Sequence, residues 1–207
     1  MSSLEPIPDF INTLYIEPLK ERCPKAFKKL RLDEASFLGR GTYGVVVQVD
    51  NRAIKLTRER CDAKASSRLI GKKLKNVVRI HDVFQVDRWY VIVQEVLRPV
   101  SDDTEILVSR FGSILEDAPI LKRHPKGLVK AYFREFGDTD AWPPPIRTVN
   151  YVAQSLSNAF CKLADEGIMG YRDIHDENVM EDGRGTLKVI DLAFTRTKGR
   201  YKPKTLD

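Results

Sequence analysis

Between Ala35 and Thr57 the chain reads ASFLGRGTYGVVVQVDNRAIKLT, and no other stretch limits the possible folds as strongly. Two runs rich in β-branched residues, Val45–Val49 and Arg52–Thr57, are joined by Asp50-Asn51. Branching at Cβ restricts χ1 and favours extended backbone. Asp and Asn tolerate the left-handed conformation that a tight hairpin turn requires. The stretch therefore predicts an antiparallel hairpin preceded by a glycine-rich turn. VVRIHDVFQVDRWYVIVQEVL predicts two more strands around Asp87-Arg88. Between the two pairs, ERCDAKASSRLIGKKLK is polar and compatible with a helix, with Gly71 as its weak point.

Helical spacing governs the flanks. Phe10, Leu14, Leu19, Phe27 and Leu30 recur at roughly helical intervals, interrupted by Pro18 and Pro24, which predicts one or two short helices. DDTEILVSRFGSILEDA is a candidate helix, whereas AYFREFGDTDAWPPPIR reads as a loop because three prolines cannot continue a helix. TVNYVAQSLSNAFCKLADEG carries Val152, Leu156, Ala159, Phe160 and Leu163 on one face, with Gly167 as a C-cap. Apolar residues make up 42% of the 207 and charged residues 31%, a balance that supports a folded core. The net charge of +6 is dispersed along the chain, which argues against direct nucleic-acid binding. Three scattered cysteines offer neither a zinc motif nor a disulfide framework. The N-terminus shows no signal-peptide pattern and no apolar run is long enough to span a bilayer, so a cytoplasmic protein without membrane contact is expected.

Three motifs carry chemistry. GRGTYGVV places Gly39, Gly41, Gly44 and Val46 on a turn that leads into a strand. A dinucleotide-binding glycine motif leads into a helix instead. RAIKL places Lys55 sixteen residues after Gly39, on the following strand. In YRDIHDENVMEDGRGTLKVIDLAF, Asp173 and Asn178 stand five apart and Asp191 follows thirteen later, at the end of an apolar strand. Phosphoryl transfer needs charge neutralisation at phosphate oxygens and a carboxylate to orient the attacking hydroxyl. Asn178 and Asp191 are hard oxygen donors of the kind Mg²⁺ accepts, and Asp173 is the candidate carboxylate.

In order and spacing the set resembles the protein-kinase-like superfamily. GRGTYGVV matches the glycine-rich loop, AIK the strand lysine, YRDIHDEN the catalytic loop and IDLA the D-F-G region. The resemblance implies an α+β, two-lobed fold with an antiparallel-sheet N-lobe and a truncated, mainly helical C-lobe. The corresponding division is a helical extension over 1–32, an N-lobe over 33–97 and a C-lobe with a basic tail over 98–207. It further implies ATP and Mg²⁺ as cofactors. Gly39, Gly41, Gly44 and Val46 would lie over the nucleotide, and Lys55 would hold its phosphates. Backbone groups of Glu95 and Leu97 would meet adenine, Asp173 would be the catalytic base, and Asn178 and Asp191 would bind the metal.

Several positions depart from the pattern. Tyr171 replaces the motif histidine and Leu192-Ala193 replace Phe-Gly. His175, grouped here with the catalytic residues, stands where serine/threonine kinases place a lysine, a loop also similar to aminoglycoside and choline kinases. The family's helix glutamate would fall near Ala65–Ser67, where the chain has Ala-Ser-Ser. Glu59 is the expected substitute partner for Lys55, with Asp62 the other nearby acid. DIHDENVM and the brief lobes look like the short serine/threonine kinases of small tailed bacteriophages, which implies action on host proteins in the bacterial cytoplasm. A small-molecule kinase and a non-catalytic kinase-fold binder are the alternatives. Thr195 and Thr197 are candidate autophosphorylation sites within a tail otherwise expected to be solvated. The sequence leaves the substrate and oligomeric state open.

Overall fold

Alternating side chains assemble the main sheet. β1 (Ser36–Gly41), β2 (Gly44–Val49), β3 (Arg52–Thr57), β4 (Ile80–Val86) and β5 (Trp89–Glu95) pair antiparallel in the order β1-β2-β3-β5-β4. The Asp50-Asn51 turn closes between the paired residues Val49 and Arg52, and Asp50 takes φ 53°. Asp87, at φ 50°, opens the equivalent turn between Val86 and Trp89. The computed structural model describes residues 5–137, 144–171, 174–193, 195–197, 199 and 201–206. The fold is mixed α+β and divides into two units. One comprises Met1–Lys72, Arg79–Val96 and Gly199–Asp207, and the other Lys73–Val78 and Leu97–Lys198.

In the first unit, one sheet face carries Val45, Val47, Ile54, Leu56, Val91 and Val93. The N-terminal helices cover it. α1 (Asp9–Ile11) passes through a π-helical stretch, Asn12–Ile16, into α2 (Glu17–Arg22), and α3 (Pro24–Leu30) follows. Ile11, Ile16, Leu19, Ala26 and Phe27 join the same apolar cluster. Burying each large aliphatic or aromatic side chain contributes about 1.5–3 kcal/mol, so these helices are part of the core. α4 (Arg60–Arg68) packs against β3, β4 and β5. The end of the chain, expected as a solvated tail, instead lies along β4. Gln85 N–H donates to Lys204 O at 2.8 Å and Leu206 N–H to Gln85 O at 3.1 Å. Unpaired groups on an edge strand draw such a segment in.

In the second unit, β6 (Arg98–Pro99) precedes α5 (Asp102–Asp117), α6 (Pro125–Phe136) and α7 (Ile146–Asp165). These helices bury Val108, Phe111, Leu128, Tyr132, Val149, Val152 and Leu156. The loop expected from Ala131 is helical as far as Phe136, a correction to the sequence reading. Leu128, Ala131 and Tyr132 form a buried stripe at helical spacing, and the prolines act only further along the chain. Gly167 ends α7 as expected, at φ 70°, its N–H donating to Ala164 O. β7 (Ile168–Met169) follows, then β8 (Val179–Glu181) and β9 (Leu187–Val189), and β10 (Arg196–Thr197) pairs back onto β7. Among the described residues no helix is long and apolar enough to cross a membrane.

Candidate functional site

In the first unit, Gly39 pairs with Val46, Val46 with Lys55 and Lys55 with Ile92. Residues directly opposite in an antiparallel sheet share a face. Gly39, Val46 and Lys55 therefore lie on the face opposite the apolar cluster. The three glycines differ in what surrounds them. A Cβ at Gly44 would meet the Leu56 carbonyl oxygen at 2.2 Å, so this glycine is required by packing. At Gly39 and Gly41 a Cβ would meet nothing within 4 Å. Both lie on β1, paired with β2, and it is the space on the side-chain side of their Cα atoms that is open.

Lys55 is anchored by an acid, and that acid is Asp62. Lys55 Nζ lies 2.8 Å from Asp62 Oδ2, with the side chains 12% and 3% exposed. Ser66 Oγ donates to Asp62 Oδ1 at 3.3 Å. The expected partner, Glu59, is corrected. Glu59 is the extended N-cap residue of α4, and its N–H donates to Thr57 Oγ1 at 3.0 Å. Asp62 lies one turn further on, on the face that packs on the sheet. A buried ammonium and carboxylate are tolerated only when paired, so the pair fixes where the lysine's charge is held.

Glu95 ends β5. Its N–H donates to Arg79 O at 3.0 Å, and its Oε1 accepts from Arg79 N–H at 2.7 Å. This N–H is engaged within the sheet, which restricts any backbone contact to adenine from Glu95 to its carbonyl. Leu97 is half-buried at the point where the chain enters the second unit.

In the second unit a short hairpin brings Asn178 beside Ile190, the residue before Asp191. Val179 pairs with Val189, and Ile190 N–H donates to Asn178 O at 2.9 Å. Residues distant in sequence thus close into adjacent backbone. Asp182 shapes the turn, its Oδ1 accepting from Arg184 N–H at 2.9 Å and Thr186 N–H at 3.0 Å. Partial burial would raise this carboxyl, but those amides and the charge of Lys188 hold it below its usual value. From α7, Tyr151 clamps the hairpin. Its hydroxyl donates to Gly185 O at 2.8 Å and accepts from Leu187 N–H at 3.2 Å.

Asn178 is 5% exposed, and its Nδ2 lies 2.7 Å from His175 Nε2. This contact holds the Asn178 amide against the imidazole ring. His175 thereby positions Asn178. Asp191 takes φ 43°, and its Oδ1 accepts from Ala193 N–H at 3.1 Å. Asp tolerates this left-handed conformation, as it does at Asp50 and Asp87. Tyr171, at the motif's histidine position, is buried and its hydroxyl donates to Ile190 O at 2.9 Å. It ties the loop start to the residue before Asp191. Asp173 lies outside the described residues.

Two further residues had no local signal in the sequence. Gly112 on α5 approaches the loop so closely that a Cβ would meet Ile174 O at 2.2 Å. Asn76, 2% exposed, donates from Nδ2 to Leu187 O at 2.9 Å and accepts from Val189 N–H at 3.0 Å through its carbonyl. Both act on the hairpin or loop from distant sequence, so only the tertiary structure reveals them. Of the candidate modification sites, Thr195 is buried, with its hydroxyl donating to Leu192 O at 2.7 Å, and Thr197 pairs with Ile168. No protein-family model matches the chain, and no curated protein matches it.

Proposed function

We propose that the chain is a phosphotransferase with a kinase-like, two-lobed fold, moving the γ-phosphoryl group of ATP to serine or threonine hydroxyls of proteins. The observation that carries the reading is the buried Lys55–Asp62 pair on a sheet whose Gly39 and Gly41 leave open space beside them. The pair holds the Lys55 ammonium on the sheet face that carries Gly39 and Val46, where a nucleotide's phosphates would lie. An absent helix glutamate is one ground for a non-catalytic binder, and in this reading Asp62 would take the place of that carboxylate.

The roles follow from the chemistry of each group. Backbone N–H groups at Gly39 and Gly41 would cover phosphates, and Lys55 would bind their oxygens. The donor set at the hairpin fits Mg²⁺, because an amide oxygen and a carboxylate are the hard ligands this ion takes. Asn178 and Asp191 would hold it. When bound it neutralises charge developing on the transferred phosphoryl group. Asp173 would accept the proton of the attacking hydroxyl. Host proteins of a bacterial cytoplasm are the proposed acceptors, following the resemblance to bacteriophage kinases.

The test is the partition of label from γ-labelled ATP and Mg²⁺ in a bacterial extract. Label in the acid-precipitated protein, lost in Asp173→Asn and Lys55→Ala, supports the proposal. Label confined to small alcohols such as aminoglycosides would reassign the chain as a small-molecule kinase. A wild type that transfers none would overturn the reading.

A further inference from the structure

A concavity is lined by described residues of the second unit and reaches Tyr171, two residues before Asp173 in sequence. Its volume is about 370 Å³, and its wall includes Ile120, Lys122, Arg123, His124, Met169 and Tyr171. This is the size range of sites that enclose a small ligand or a few side chains. Among the described residues its charged wall groups are Lys122 and Arg123, with His124 beside them and no carboxylate. Lys122 fixes the wall, its Nζ donating to Tyr171 O and lying 5.4 Å over the Phe160 ring. Arg123 and His124 are exposed.

Two large apolar residues border the same concavity while facing water. Ile120 is 78% exposed, on a short 3-10 turn, Pro119–Arg123, with no buried residue, and Met169 is 46% exposed. One exposed aliphatic is ordinary on a protein surface. Two beside one basic concavity offer apolar contact next to the charge of Arg123. Flexible Met side chains also adapt to varied apolar partners.

We propose that this concavity docks an acidic segment of the protein substrate that carries a large aliphatic residue. The aliphatic group would lie against Ile120 and Met169, and carboxylates would face Arg123 and His124. The proposal rests on the protein-kinase reading and narrows its substrate class. Charge complementarity selects an acidic occupant, and the apolar groups select a peptide over a nucleic acid. Single strands bind by stacking bases on exposed aromatic rings. Here the aromatic wall residues, Phe160 and Tyr171, are only 6% and 4% exposed.

The test uses the full chain and a fluorescent peptide with a central leucine among glutamates and no hydroxyl residue. Fluorescence anisotropy should show binding that weakens about tenfold or more in Ile120→Asp and in Arg123→Glu. Replacing the leucine by alanine, or the glutamates by lysine, should weaken it similarly. Both altered residues are exposed, so circular dichroism should match wild type. When the segment is fused to a serine acceptor, Ile120→Asp should raise KM and leave kcat unchanged. Equal binding by wild type and both variants, or equal binding of the lysine peptide, overturns the proposal. So does binding of a single-stranded RNA oligonucleotide in place of the peptide. The binding measurement needs no ATP, so a failed kinase reading and a failed docking site give different results.

Discussion

Gly39, Gly41 and Gly44 look equivalent in sequence, yet only Gly44 is held by packing. A Cβ there would strike backbone at 2.2 Å, whereas one at Gly39 or Gly41 would meet no atom within 4 Å. Gly44→Ala should therefore destabilise the chain by about 1–3 kcal/mol in denaturant unfolding. Gly39→Val and Gly41→Val should change stability by less than about 0.5 kcal/mol while raising the KM for ATP. Equal losses of stability at all three positions would remove the case for open space at Gly39 and Gly41. Asp182 gives a pH test. Its folded carboxyl titrates below the ordinary 3.8, so the stability it contributes is complete above that value and is lost as pH falls through the folded value. Asp182→Ala should cost about 1 kcal/mol at neutral pH through its lost hydrogen bonds. The difference from wild type should shrink in acid, as followed by denaturant midpoints across pH.

At the scale of elements, the central relation is between β3 and α4. Removing one partner of a buried ion pair strands the other, at a cost of about 3–5 kcal/mol. Asp62→Ala should lower stability by that order and slow phosphate transfer, while Glu59→Ala should leave both nearly unchanged. Urea unfolding and label-transfer rates on the two variants would settle the assignment. The sequence left this pairing ambiguous because the helix begins directly after the strand, so the useful acid falls in its first turn, ahead of the expected position. The hairpins at Asp50-Asn51 and Asp87-Arg88 were legible because alternation and turn chemistry are local. So was α7, whose apolar stripe is long and ends in a glycine. The helical course of Ala131–Phe136 was masked by prolines that act only after it. Asn76 could not be read at all. It lies far in sequence from the hairpin it supports, and Asn-Val-Val carries no signal for such a contact.

At the scale of the whole molecule, each unit draws on distant sequence. The N-terminal helices cover one face of the first unit's sheet, with Tyr15 against Trp89 at 4.9 Å between ring centroids. A chain beginning at residue 33 should lose much of the about 5–15 kcal/mol that stabilises a typical domain. It should be insoluble or unfolded by circular dichroism, and a native-like spectrum would show the helices to be dispensable. The chain end along β4 brings in Tyr201, whose hydroxyl has no hydrogen-bond partner among the described residues. Burial, with Tyr90 nearby and Arg60 opposing, raises it to about 12. Its contribution is therefore complete below the ordinary value of 10 and is lost as pH rises toward 12. Tyr201→Phe should be neutral or slightly stabilising at pH 7 and should flatten that alkaline loss in thermal unfolding. The central claim, phosphoryl transfer, is tested most directly by intact-mass measurement of the chain and of bacterial acceptor proteins after incubation with ATP and Mg²⁺. Wild type should add whole phosphoryl groups to protein, and Asp173→Asn should add none. No increment with wild type under any divalent cation, or equal increments with both proteins, would contradict the account.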